Sequence, residues 1–178
     1  MQFAGVALGL VVLAASCQPD ETRTDDGDEA VLVTYAYGGG MDRYQDGDRY
    51  GHRLTVRFDG TYTLYERIYR EENGERSIRD QNIAQDTLEE EPLESLKTQV
   101  QAFAAEAWPE RLPDVDPRRV ELREPADQVT LEARAEPGDE PTTVRAHMGA
   151  DPEHYPGAFW TLHQELRRLT HDAGDAAR

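Results

Sequence analysis

Lysine is almost missing from this chain. Lys97 is the only one among 19 basic residues, and 36 acidic residues outnumber them to give a net charge of -17. A field of that sign repels nucleic acid, which is excluded as a partner, and anionic lipid headgroups, and it attracts cations or basic proteins. Acid-rich, lysine-poor surfaces suit high salt, where the Debye length falls to about 3 Å at 1 M and repulsion between carboxylates is screened. A halophilic source and an arginine-biased genome account for this composition equally well.

Other absences narrow the chemistry. Cys17 is the only cysteine, so there is no internal disulfide and no Cys-ligated zinc site. After residue 16 the only serines are Ser77 and Ser95, and neither stands in a G-x-S-x-G elbow. The five histidines, His52, His147, His154, His163 and His171, form no H-E-x-x-H pair. His163 and His171 lie eight apart on a predicted helix, about 80° offset around its axis at 3.6 residues per turn, so they are poor co-ligands and read as solvated. Asp42, Asp46 and Asp48 cluster in the loop "GGGMDRYQDGDRYGH". Oxygen ligands in such a loop suit Ca²⁺, but an EF-hand would place ligands where Tyr44 and Arg53 stand. No glycine loop precedes a helix to cradle phosphate, so no cofactor is expected. No catalytic residues emerge and no enzyme is expected. A carboxylate-based hydrolase stays open, because 36 acids provide many pairs and single out none.

The N-terminus carries the clearest signal. Residues 1–16 lack charged side chains and residues 3–15 are almost wholly apolar. Thirteen residues are too few to span a bilayer, where about 20 are needed, but they suit the apolar region of a signal peptide. Ala14, Ala15 and Ser16 then precede Cys17. This arrangement resembles the lipobox of bacterial lipoproteins. The resemblance implies cleavage after residue 16, lipidation of the Cys17 thiol and a membrane-anchored mature chain. Residues 17–30 then form an acidic tether, with almost nothing apolar to offset the entropy of ordering it. In Gram-negative lipoproteins an Asp directly after the cysteine favours inner-membrane retention. Gln18 stands there instead, which favours the outer membrane.

Residues 31–171 read as one α+β domain, and residues 172–178 as a frayed tail. "VLVTYAY" at 31–37 is a β-branched and aromatic strand that ends at Gly38-Gly39-Gly40. Leu54, Val56 and Phe58 alternate with Arg53, Thr55 and Arg57. Asp59-Gly60 and Asn73-Gly74 are tight-turn signals, so residues 31–83 form a four-strand meander with a weak last strand. Leu93, Leu96, Val100, Phe103 and Ala107 then recur at helical spacing behind Pro92. A Pro-rich link and a second hairpin over residues 129–148 follow, and a helix carrying Phe159, Leu162, Leu166 and Leu169 closes the chain. Strands, helix, strands, helix predict an antiparallel sheet with two amphipathic helices packed on one face.

Seven of the eight tyrosines lie between Tyr35 and Tyr69. On one predicted strand Tyr65, Arg67 and Tyr69 oppose Tyr62, Leu64 and Ile68, and only one of these sets can face the core. The other is a candidate partner-binding face of Tyr65, Arg67 and Tyr69, extended by Gly39 and Gly40. The succession of "LTVRFDGTYTL", "PLESLKTQVQAF", "VTLEARA", "TVRAHMGA" and "FWTLHQELRRL" resembles the emfourin-like small domains. That resemblance implies inhibition of thermolysin-type metallopeptidases. The sequence therefore predicts a lipid-anchored, non-catalytic protein-binding domain in the cell envelope, with a purely structural envelope component as the competing reading.

Overall fold

The computed structural model describes residues 30–39, 44–109, 111–113 and 127–177. The expected signal peptide, Cys17, the tether as far as residue 29, Gly40 and Asp42 lie outside the described residues. The fold is α+β. β1 (Val31–Gly38), β2 (Arg49–Arg57), β3 (Thr61–Glu72) and β4 (Glu75–Thr87) form the meander, and α1 (Glu90–Ala104) follows. The two-residue β5 (Arg111–Leu112), the β6 (Gln128–Ala133)–β7 (Thr142–His147) hairpin and α2 (Gly157–Ala176) complete the chain.

The seven strands make one sheet in the order β4-β3-β2-β1-β6-β7-β5. β1 lies inside it, antiparallel to both β2 and β6, which joins the two hairpins into one layer. β5 pairs parallel with β7, a departure from the all-antiparallel expectation. A glycine takes the left-handed conformation at each of the two expected meander turns: Gly60 has φ +88°, and Gly74, behind Asn73 with φ 55°, has φ +82°. Few other residues adopt this conformation without strain.

Alternation assigns the faces. Val33, Tyr35, Leu54, Val56, Leu64, Val129, Leu131 and Val144 point to one side, where α1 supplies Leu96, Val100 and Phe103, and α2 supplies Phe159, Leu162 and Leu166. All of these residues are buried. Tyr62 and Ile68, expected in this core beside Leu64, are only half-buried. β4 is not weak: it pairs with β3 along its full length and is mostly exposed, so it carries no apolar alternation for the sequence to display. Residues 172–176 are not a frayed tail, because α2 continues through them and buries Ala173. No helix among the described residues is long and apolar enough to cross a membrane.

Phe103 closes α1 against the core. Its ring stacks on Trp108 at 4.7 Å, and Trp108 Nε1 donates to the Phe103 carbonyl. Removing that ring takes away a fully buried aromatic side chain and leaves a cavity. Phe103→Ala is expected to lower unfolding stability by about 3–5 kcal/mol in urea titrations.

Candidate functional site

The side of the sheet opposite the helices has no described helix or strand over it. Register alone determines what it displays. One cross-strand row runs Tyr65, Arg53, Ala36, Thr130, Arg145, Arg111. The next runs Asp80, Arg67, Gly51, Gly38, Gln128, His147. Small residues thus floor the centre, and arginines stand on both flanks.

On one flank the groups are interlocked. The Arg53 guanidinium lies over the Tyr65 ring, 4.5 Å from its centroid, and pairs with the Asp80 carboxylate at 3.1 Å. Asp80 also pairs with Arg67 at 3.4 Å, and Arg67 lies 5.3 Å from the Tyr50 ring. The side chains stay partly open, Arg53 at 37% and Arg67 at 24%. Arg53 Nε is nonetheless buried without a hydrogen-bond acceptor, whereas Arg67 Nε is the atom that faces Asp80. Buried donors without partners are rare in folded proteins. On the other flank Arg111 and Arg145 stand directly opposite each other across the β5–β7 pair. Neither makes an ion pair among the described residues. Like charges placed opposite each other are destabilising. Arg53, Arg67, Arg111 and Arg145 against Asp80 and Glu132 make this face locally positive on an acidic protein.

The predicted binding residues divide. Tyr65 and Arg67 do lie on this face, as alternation requires. Tyr69 shares their side but is buried, with 1% exposed, and so cannot present its ring to a partner. The segment before β2 folds over it: Gly47 N–H donates to the Tyr69 carbonyl, Tyr69 N–H donates to the Asp48 carbonyl, and the Tyr44 ring lies 6.3 Å away. Gly39 is covered rather than open, because a Cβ there would overlap the Tyr44 hydroxyl. Tyr50, the extra residue of a β-bulge in β2, lies against Gly38 in the same way.

Of the Ca²⁺ candidates, the two described ones, Asp46 and Asp48, bond to the backbone around their loop. Asp46 accepts from Glu71 N–H at 3.1 Å, and Asp48 accepts from Gln45 N–H at 2.8 Å. Among the described residues no three His, Cys, Asp or Glu converge as a metal site.

The helix side holds a second feature that the sequence did not reveal. A cavity of about 240 Å³ opens between Tyr35, Tyr37 and His52 of the sheet and Arg167, Thr170, His171, Gly174 and Asp175 of α2. Tyr37 OH donates to Asp127 at 2.7 Å, and burial with this bond pushes its pKa up to about 12. Beside it Tyr35 OH lies 3.2 Å from His163 Nδ1. His163 was expected in solvent but is 2% exposed, parallel to Phe159 and packed against Tyr35 and Trp160. Burial, and then the Arg167 charge, lower its pKa to about 4. The signal for this was positional: His163 stands four residues after Phe159 and three before Leu166, on the apolar stripe.

No family model, no curated protein and no solved structure matches this chain.

The neutral His163 has a consequence for stability. Its native pKa lies below the ordinary 6.5, so between these values the unfolded chain binds a proton that the native chain refuses. Stability therefore falls as pH drops from about 6.5 to about 4, by up to about 3 kcal/mol. His163→Phe keeps the stacking and removes the titration. Denaturant midpoints at pH 7 and pH 4.5 are expected to differ less in this variant than in the wild type.

Proposed function

We propose that this chain is an envelope lipoprotein whose domain binds another envelope or secreted protein through the helix-free face of its sheet. The single observation that carries the reading is the positive arginine and tyrosine surface, where Asp80 serves two guanidiniums and Arg111 stands opposite Arg145, on a chain of net charge -17. A partner presenting carboxylates supplies further acceptors for the part-exposed Arg53 and Arg67 guanidiniums, which share the one Asp80, and a counter-charge for Arg111 and Arg145. The span from Arg53 to Arg145 is three strand spacings, about 14 Å, floored by Ala36 and Thr130. A helix about 10–12 Å across fits on it.

Lipidation at Cys17 supports the envelope placement, with the acidic tether holding the domain away from the surface and Gln18 favouring the outer membrane. The likeness to emfourin-like domains adds one specific partner class, a secreted metallopeptidase. Gly38 and Gly39, packed under tyrosine rings, act in this reading as supports for the face rather than as an inhibitory loop.

Two experiments test it. Cys17→Ala is expected to abolish membrane association and the lipid mass increment in cells; an unchanged fractionation and mass would reject the anchor. For the domain, a partner captured from envelope and secreted fractions is expected to be lost when Arg53, Tyr65 and Arg67 are changed to Ala, and when Arg111 and Arg145 are changed to Ala. Capture is expected to weaken with added salt and to survive Arg168→Ala on the exposed side of α2. Retention by both face variants would reject the face.

A further inference from the structure

We propose that the cavity between β1, β2 and the C-terminal half of α2 binds a small organic anion, a carboxylate on a compact aromatic or apolar body. This site lies on the opposite side of the sheet from the docking face and stands independently of it.

The helix contributes one stripe. Arg167, Thr170, His171 and Gly174 recur at i, i+3, i+4 and i+7 and line the cavity together. The two neighbouring arginines of α2 behave differently. Arg168 pairs with Glu165 at 2.6 Å and with Asp172 at 3.0 Å. Arg167, beside the cavity, makes no ion pair among the described residues. Arg167 lines the cavity together with Tyr35 and Tyr37, and its charge acts on both phenols and on His163. An arginine fork matches a carboxylate in two parallel hydrogen bonds.

The opposite wall suits the body of such a ligand. Tyr35 and Tyr37 offer ring surface, with their hydroxyls already engaged by His163 and Asp127. Gly174 keeps the helix side low: it stands in the last turn of α2, and its nearest neighbour to an added Cβ is Leu64 at 3.9 Å. A larger side chain there would occupy the cavity. About 240 Å³ is below the usual range of drug-sized sites, roughly 300–1,000 Å³, and equals the liquid volume of about eight waters. The ligand is therefore of benzoate size. The one carboxylate in the lining, Asp175, stands near His171 at 3.3 Å and is exposed, which leaves Arg167 as the anion's partner.

The probe is benzoate, with benzamide as its uncharged counterpart, titrated into the chain from residue 30 onward and into the full mature chain while imidazole and tyrosine resonances are followed by NMR. Benzoate is expected to shift His52, His163 and His171 together and saturably. Benzamide and the Arg167→Gln variant are expected to bind at least about tenfold more weakly, the loss of one charge-assisted pair. Gly174→Leu is expected to remove binding while retaining or raising Tm. Equal binding of benzamide, full affinity in Arg167→Gln, or no saturable shift at about 10 mM benzoate (a limit near 3 kcal/mol of binding) would overturn the proposal. Because Arg167 is exposed on the helix surface, Arg167→Gln folds and keeps the test decisive even where Gly174→Leu does not.

Discussion

The structure depends on a sheet that is apolar on one side only. Val33, Tyr35, Leu54, Val56, Leu64 and Leu131 alternate with Thr34, Ala36, Arg53, Thr55, Thr63 and Thr130, and the side-chain period of two sends each set to its own face. A slip of one residue in any inner strand would bury threonines and arginines under the helices. The same alternation that builds the core therefore writes the opposite face, and the candidate docking surface follows from the register that stabilises the fold. Gly51 marks how closely β1 and β2 approach: a Cβ there would overlap the Tyr37 carbonyl oxygen.

Charge then decides what the two faces can do. The chain is acidic overall, yet four of its 18 arginines, Arg53, Arg67, Arg111 and Arg145, stand on the helix-free face, and Arg167 lines the helix-side cavity. On the face, one carboxylate, Asp80, serves two guanidiniums, and Arg111 and Arg145 have none among the described residues. Partly exposed ion pairs add at most about 1 kcal/mol each, so the pairs made by Asp80 contribute little to folding. In the proposed function these arginines meet an acceptor from outside.

Local pattern made the individual elements legible, and non-local packing hid the rest. β1, β2, β3, the two tight turns and both helices follow from period and turn chemistry. β5 has two residues and no period to read. The pairing of β1 with β6 joins segments almost a hundred residues apart, which no local window contains. The end of α2 was hidden by Ala-Gly-Asp composition, although Ala173 packs on the sheet side. In the site, parity placed Tyr65 and Arg67 on the helix-free face. Tyr69 has the same parity, but residues 44–48 fold back over it through backbone hydrogen bonds that its own strand does not announce. The Arg111–Arg145 pair and the cavity beside Arg167 each join segments distant in sequence, so neither was visible before the fold.

The central claim is that the helix-free face is occupied in the envelope. Hydroxyl-radical footprinting of the protein in native membranes, compared with the purified chain at the same salt, measures this without knowledge of the partner. Tyr65 and Tyr50 are expected to be protected in membranes, while Trp160 on the helix side reacts equally in both. Equal labelling of Tyr65 and Tyr50 in the two preparations would contradict the account.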